Sequence, residues 1–557
     1  MPGLPDDSGT IGPIIGGFGQ GIVYNLPCPV NPPQDADYFP VLVNMSSDYP
    51  VNYLKSILNS RVYEVTRETP LERMELLSDR LGENIWLKRE DAHPIFCYKI
   101  RGAYNKMVSL SPEMLGRGVV AASAGNHAQG VAMSAKQLGC KALIVMPVTS
   151  PSIKVDAVRR WGAKVKLVGD SYNEAFEYAR EICAGQGREL ISPFDDPLII
   201  AGQGTVGLEL LKQHSGPLEA IFVPVGGGGL IAGIAVYVKQ LRPDVRIIGV
   251  EPYNSDALYR SLKAGKRIRL DRVGIFADGV AANRVGKENF RICRDFVDEV
   301  VRVSTDEICA AVKDLYEDTR TIFEPSGALS AAGIKRWIKE NPSNPGMRPQ
   351  NRNLVAIASG ANMNFDRLRH VSERAEIGER REAILAVSIP ETRGSFRRFY
   401  HTLGNRSVSE FNYRFANDKE ANIFLGVQIT RKSEIEDLIS KLAAKGIPCL
   451  DLTDNEIAKI HARYMVGGRV PEMTNERLFS FEFPERPGAL GDFLDQLGKT
   501  WNITLFHYRN HGSDFGRVLC GIQIPPRESG EFDHFLVNLG YGYREETENP
   551  VYKLFMR

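Results

Sequence analysis

Net charge is almost absent from this chain of 557 residues, because 69 Lys and Arg face 68 Asp and Glu. A surplus of either sign would point to nucleic acid or an anionic membrane as a standing partner, so neither is expected. Small neutral or zwitterionic ligands fit better. Long apolar runs are missing too: charge or glycine interrupts each one before it nears the roughly 20 residues that span a bilayer. Cysteine is scarce and scattered (Cys28, Cys97, Cys140, Cys183, Cys293, Cys309, Cys449 and Cys520), with no C-x-x-C pair and no metal-like spacing. Reduced thiols in a soluble, intracellular protein are expected. The first 50 residues have no Lys or Arg and carry Asp6, Asp7, Asp35, Asp37 and Asp48, which is the composition of neither a signal peptide nor a transit peptide. Rich in Gly and Pro, residues 1–44 read as a flexible extension.

One core seldom serves so long a chain, so two or more domains are expected. From Val62 onward short β-branched runs alternate with longer amphipathic ones. NIWLKRE, GVVAAS, ALIVMP, KVKLVG, AIFVPVGGGG, RIIGVEP and LVAIAS are strand-like; AQGVAMSAKQLG and LIAGIAVYVKQLR are helical. That alternation predicts parallel βαβ units and an α/β sheet with ligands at the carboxyl ends of its strands. The Pro- and Asn-rich stretch 340–353 is predicted to be a surface loop before the last of these strands.

Beyond about residue 375 the chain repeats itself. IPETRGSFRRFYHTLG (389–404) aligns with FPERPGALGDFLDQLG (483–498), FNYR (411–414) with FHYR (506–509), and GVQI (426–429) with GIQI (521–524). The offsets are 94 or 95 residues, so a duplication is expected. Each copy reads strand, tight turn at Gly394 or Gly488, helix and then two or more strands. Neither contains a nucleophile–base pair or a metal cluster. Binding or assembly is the role this leaves.

Three polar or glycine-bearing turns follow strand-like runs: SAGNH (123–127), GGGG (226–229) and SGAN (359–362). Such loops can converge on one ligand. The glycine tetrad ends a strand and opens a helix, so free N–H groups and the helix dipole would face an anion such as phosphate. A dinucleotide reading starts from the same residues, since GGGLIA (227–232) satisfies G-x-G-x-x-A and Glu251 lies about 20 residues on. It is weakened because this unit sits mid-domain and leaves the other two loops unexplained.

Lys99 supplies what is missing. In the segment LKREDAHPIFCYKIRGAYN (87–105) it sits among Ile95, Phe96, Tyr98 and Ile100, a setting expected to favour the neutral amine and a Schiff base. PIFCYKIRGAYNKM closely resembles the lysine motif of the fold-type II pyridoxal 5'-phosphate (PLP) enzymes, the threonine dehydratases in particular, whose usual form is S-F-K-x-R-G-A. SAGNHAQGVA, DDPLIIAGQGTVGLE, VPVGGGGLIAGIA, FADGVA, IFEPSGAL and SGANMNFDRLR resemble the same family in the same order, over about residues 50–375. The tail resembles the paired ACT-like regulatory domains of the biosynthetic members. The departure is at Cys97 and Tyr98, where the family commonly has Ser and Phe.

The resemblance implies an α/β core of two parallel-sheet subdomains over 45–375. Two α+β ACT-like domains, about 381–454 and 476–548, would follow within a 376–557 regulatory region. It implies an enzyme that dehydrates and deaminates L-threonine to 2-oxobutanoate and ammonia, at the committed step of isoleucine biosynthesis. Isoleucine would inhibit, valine would oppose it, and the assembly would be a homotetramer in the cytoplasm, or in a plastid of a photosynthetic eukaryote. Lys99 would hold PLP and take the Cα proton; Gly226, Gly227, Gly228, Gly229 and the adjoining Leu230 would receive its phosphate. Asn126 would bond the 3-hydroxyl, and Ser359 would face the pyridine nitrogen, the alternative for Ser359 being a helix N-cap. Ser123, Ala124, Gly125 and Asn126 would receive the substrate carboxylate, with His127 structural. Some relatives bind a divalent cation through a Glu, a carbonyl four residues later and an Asp six residues later. Here Glu251, Ser255 and Ala257 occupy those places, so no metal is expected, and Glu251 is expected to pair with a cationic side chain. Serine dehydration, serine racemisation and cysteine synthesis share such a core. A non-catalytic amino-acid sensor is the alternative from another class, against which the retention of Lys99, Ser359 and all three loops argues.

Overall fold

The computed structural model describes residues 49–342 and 351–556, except positions 366, 405, 418, 432, 466, 467, 469, 471, 472, 485–488, 498, 499 and 510–514. The 1–44 extension, most of the 340–353 loop and the turn at Gly488 lie outside the described residues.

All seven strand-like runs are strands, but they form two sheets. The smaller holds, in order, Lys164–Leu167, Ala142–Met146, Val119–Ala122 and Glu189–Leu190, all parallel. The larger runs Leu71–Arg73, Asn84–Arg89, Asn353–Ala358, Ala220–Pro224, Arg246–Pro252 and Glu299–Val303. It is parallel except at its first strand, which pairs antiparallel to the second. Ala220–Pro224 is buried at every position. A strand covered on both faces has no polar side to show, which is why this one reads as an unbroken apolar run, whereas the edge strand Lys164–Leu167 is largely exposed and keeps two lysines.

The helix Gly229–Leu241 is buried from Gly229 through Val238. It crosses the helix Pro197–Gln213 almost backbone to backbone: a Cβ on Gly233 would lie 2.5 Å from the Ile200 carbonyl and 2.6 Å from the Gly204 nitrogen. Only glycine permits that approach, and the approach fixes the glycine tetrad at the helix's start against the rest of the core.

In the tail each repeat reads β-α-β-β-α-β, a helix and a strand more than the least the sequence predicts. The first copy runs Glu382–Pro390, Ser395–Leu403, Val408–Arg414, Glu420–Gln428, Ser433–Ala443 and Cys449–Asp451. The second runs Glu476–Pro484, Ala489–Leu497, Asn502–Arg509, Phe515–Gln523, Ser529–Asn538 and Gly542–Glu545. The turn expected at Gly394 is there, with φ 79°. The copies do not stand apart. Val408–Arg414 pairs antiparallel with Asn502–Arg509, giving one eight-stranded sheet. The seam is made of the repeated motif itself: Phe411 faces Tyr508, Asn412 faces His507 and Tyr413 faces Phe506. One apolar cluster, including Leu385, Phe399, Phe411, Phe479, Phe493 and Phe506, runs through both copies. Among the described residues no helix is long and apolar enough to cross a membrane.

Candidate active site

Lys99 opens the helix Lys99–Val108, and the backbone before it is stitched to the SGAN loop. The Tyr98 N–H donates to the Ser359 carbonyl (3.3 Å), Cys97 bridges Gly360, and the Ala361 N–H donates to the Phe96 carbonyl (2.9 Å). Phe96 has a φ of 54°, a conformation an aromatic residue adopts only where surrounding bonds enforce it. Ile95, Cys97 and Ile100 are buried, as an apolar setting requires, whereas Phe96 departs from the expectation and is 56% exposed. Burial, then the nearby Glu324, pushes the Cys97 thiol up. Burial, then Cys97 itself, does the same to the Tyr98 phenol. Both replacements in the lysine motif therefore stay uncharged.

Two residues beyond Lys99, Arg101 anchors the helix. It is fully buried and reaches Glu90 through Nε and Nη2 (2.8 Å each), Glu209 through Nη1 (2.6 Å) and Nη2 (3.0 Å), and Thr205 (3.1 Å). Gly102 completes the anchor, since a Cβ there would lie 2.4 Å from Gln203 Nε2.

The glycine tetrad is a cradle that only glycine can form. A Cβ on Gly227 would lie 2.2 Å from the Phe194 ring, one on Gly226 would lie 2.9 Å from Val280 Cα, and Gly228 has a φ of 92°. The Gly227 carbonyl is turned away and held by the Gly286 N–H (3.0 Å) and Asn289 Nδ2 (2.8 Å). The N–H groups of residues 226–230 donate to no protein acceptor among the described residues. A row of free donors at the start of a 13-residue helix fits a phosphate. The residues present therefore fit PLP: a lysine for the aldehyde and a nest for the phosphate.

Ser123, Ala124 and Gly125 lead into the helix Asn126–Leu138, with the Gly125 N–H held by Ser123 Oγ at 3.2 Å. The Asn126 amide is oriented from both sides: Nδ2 donates to Glu324 Oε1 (2.7 Å), and Oδ1 accepts from Asn362 Nδ2 (2.8 Å). One Asn126 N–H remains for another acceptor. His127 is structural as expected. Its Nε2 lies 2.9 Å from the Ile191 carbonyl, and burial pushes its pKa down to about 4. Ser359 is not a helix N-cap, because the next helix begins only at Arg367. It is 3% exposed at the end of its strand, and Oγ lies 3.1 Å from the Ser326 carbonyl.

Glu251 corrects an expectation. Among the described residues no cationic side chain lies within ion-pair distance of it; its two oxygens accept the N–H groups of Leu258 (2.9 Å) and Tyr259 (2.8 Å) and so cap the helix Ala257–Ala264. Burial pushes its pKa up to about 8. Arg302 and Arg260 instead hold Asp256, at 3.1 and 2.7 Å. Each Glu251 oxygen thus already holds a backbone donor. Sequence reasoning also passed over Glu324 and Asn362, although both lie inside quoted motifs.

A lysine, a glycine cradle with free N–H groups and buried polar side chains on one α/β core are what a PLP enzyme needs. The pyridoxal-phosphate dependent enzyme family matches residues 62–360, and the C-terminal regulatory domain of threonine dehydratase matches twice, at 373–462 and 467–556. The L-threonine dehydratase biosynthetic IlvA of Burkholderia multivorans is 53% identical, covering 91% of this chain and 99% of its own. Its counterpart from Pasteurella multocida is 54% identical, at 92% and 99%. The processed form of threonine deaminase isoform 2 from Solanum lycopersicum superposes with a TM-score of 0.58 at 49% identity, covering 60% of this chain and 90% of that one. The chain belongs to the PLP-dependent enzymes, in the family of biosynthetic threonine dehydratases with a C-terminal regulatory domain.

Proposed function

We propose the following roles for individual residues in the PLP-dependent conversion of L-threonine to 2-oxobutanoate and ammonia, the reaction that feeds isoleucine synthesis. Bound PLP supplies an aldehyde for the substrate amine and a ring that accepts electrons when Cα loses its proton. Lys99 Nζ would hold the cofactor through its aldehyde and, as a free amine, would accept the Cα proton. The N–H groups of Gly226, Gly227, Gly228, Gly229 and Leu230 hold the phosphate. Asn126 gives its remaining N–H to the 3-oxygen. Ser359 offers a neutral hydroxyl to the ring nitrogen, which leaves that nitrogen largely unprotonated and favours loss of the β-hydroxyl over transamination. The backbone of Ser123, Ala124, Gly125 and Asn126 receives the substrate carboxylate at a helix N-terminus. Once the β-hydroxyl has left, solvent hydrolyses the released enamine.

The observation that carries this reading is the meeting of the Lys99 segment, the Asn126 helix and the SGAN loop through the contacts at Ser359, Gly360 and Asn362. The experiment is Lys99→Ala, followed by borohydride-sensitive cofactor absorbance and by 2-oxobutanoate release from threonine. Loss of both is expected; wild-type turnover would remove Lys99 from its role.

For the tail we propose that isoleucine inhibits and valine opposes it, with the boundary between catalytic and regulatory parts near residue 375. Both duplicated modules match a regulatory domain, which supports sensing. Turnover of the full chain with and without isoleucine, beside a chain ending at residue 375, is the test. Inhibition surviving the truncation would end this reading. The homotetramer is checked by light scattering of the full chain.

A further inference from the structure

Glu324 is assigned no task by the roles above, yet the site is built around it. It precedes the helix Pro325–Glu340 and is 4% exposed. Oε1 accepts from Asn126 Nδ2 (2.7 Å) and from Ser326 Oγ (2.8 Å), while its own N–H donates to the Gly360 carbonyl (3.3 Å). Neighbouring turns make room for the carboxyl group: a Cβ on Gly360 would lie 2.8 Å from Oε1, and one on Gly279 would lie 3.2 Å from it. The Lys99 segment lies close by, since the same Cβ on Gly360 would lie 3.1 Å from the Phe96 carbonyl.

A hydrogen-bond acceptor is all this geometry needs, and glutamine would provide one without charge. No Lys or Arg nitrogen lies within ion-pair distance of Glu324 among the described residues. A carboxylate without a cationic partner is disfavoured in so buried a place, and a buried carboxyl with a perturbed pKa is a candidate for a functional role. The charged groups that face it are Lys99 on its own segment and Asp278 on the 278–280 turn, the latter held by Lys154 and Arg367. Burial, then Asp278, raises its pKa, while Ser326, Asn126 and Lys99 lower it.

We propose that Glu324 is a positioning residue whose negative charge, acting through Asn126, tunes the electron demand of the cofactor's 3-oxygen side and steadies the proton carried near Lys99. The proposal rests on the site assignment above. Glutamine at 324 keeps both accepted hydrogen bonds and removes the charge, so the two contributions separate.

The experiment compares wild type, Glu324→Gln, Asn126→Ala, the double variant and Lys99→Ala, all as holoenzyme. Expected for Glu324→Gln are unchanged PLP occupancy and a urea midpoint no lower than that of wild type. The pH midpoint of the cofactor's visible absorbance should fall by about one unit, because a negative charge no longer favours the protonated form, and kcat/KM should fall about tenfold or more with most of the loss in kcat. The double variant should be little worse than Asn126→Ala alone, as coupled residues are. A wild-type absorbance titration and wild-type kcat in Glu324→Gln would overturn the proposal, as would full additivity with Asn126→Ala. Should Glu324→Gln lose PLP or fold poorly, the titration of Glu324→Asp decides, with a wild-type midpoint supporting the charge and a midpoint lowered as for Gln refuting it. Retained cofactor attachment in Lys99→Ala would overturn the site assignment and the proposal together, whereas lost attachment there with a wild-type-like Glu324→Gln would overturn the proposal alone.

Discussion

Replacing Arg101 by Met should destabilise the enzyme by about 3–5 kcal/mol at neutral pH, the usual cost of removing one partner from a buried ion pair. Arg101, Glu90, Glu209 and Lys88 are all fully buried, and one guanidinium serves two carboxylates. After its removal Lys88, 2.6 Å from Glu209, is the nearest full cation left to the pair. Burial alone would push Glu90 up; Arg101 and then His93 overcome it and hold the carboxyl well below its usual range. Arg101 likewise outweighs burial at Glu209. Groups held down in the folded state add stability above their unfolded pKa of about 4.3 and lose it as pH falls through the folded value. The deficit of Arg101→Met should therefore shrink as pH drops towards 4, because both carboxylates can then take up protons. Urea unfolding is the assay, since guanidinium salt would screen the charges. Adding Glu209→Gln should recover part of the loss, and Arg101→Lys should lie between, because an ammonium cannot span both carboxylates in a fork. A deficit below about 1 kcal/mol at pH 7, or one that stays constant as pH falls, would refute the reasoning.

Burial of His127 gives the opposite pH signature from a stabilised cation. With a folded pKa of about 4 against about 6.5 unfolded, stability should rise from pH 4 to 6.5 by about 3 kcal/mol on this residue's account. His127→Gln should flatten that slope in urea titrations, and an unchanged slope would count against it. Gly227→Ala puts a methyl group 2.2 Å from the Phe194 ring; PLP retention on dialysis should drop and about 1–3 kcal/mol of stability should go, whereas full occupancy would contradict the cradle geometry. Asp306→Asn breaks the ion pairs with Arg374 and Lys459, so isoleucine inhibition should weaken about fivefold or more while turnover without effector stays within about twofold. Superimposable inhibition curves would exclude Asp306 from coupling.

Five of the seven strands read from the sequence (Val119–Ala122, Ala142–Met146, Ala220–Pro224, Arg246–Pro252 and Asn353–Ala358) were legible because burial leaves mostly apolar residues, whereas Asn84–Arg89 and the largely exposed Lys164–Leu167 mix apolar with charged side chains and were legible as short bounded runs. The three that escaped, Leu71–Arg73, Glu189–Leu190 and Glu299–Val303, are short or half-exposed and mix charge with apolar side chains. The three loops were legible because their geometry is local, a turn needing glycine, a strand end, a helix start, whereas Lys99 was singled out by the resemblance of its segment to a known lysine motif. Glu324 and Asn362 were not, since each meets Asn126 across 198 and 236 residues of chain. Glu251 misled for another reason. Counting charges suggests a cationic partner, but its partners are two backbone N–H groups, which no residue type announces. Duplication in the tail was equally plain, whereas the joining of both copies into one sheet depends on the exposed edge of Val408–Arg414, and an edge strand's partner is not written in its own pattern.

Coupling between tail and site, on the reading proposed above, requires an element that touches both and has more than one seating. The helix Arg367–Gly378 touches both. Its Arg367 donates to the Phe276 carbonyl (2.9 Å) and to Asp278 (3.1 Å), on the turn that packs beside Glu324. Arg374 pairs with Asp306 and Glu456, and Lys459 of the tail binds the same two carboxylates. Ile377 packs with Ile384, Phe424 and Ala458 in a small cluster of its own. Twelve helical residues span about 18 Å as a stiff rod, so a shift at the Ile377 end is carried to Arg367 and cannot be absorbed between. Effector coupling is typically about 1–3 kcal/mol, the same order as one or two partly buried ion pairs. A reseating of the four-membered cluster of Asp306, Arg374, Glu456 and Lys459 would therefore match the coupling in energy, and Asp306→Asn tests whether it carries the signal.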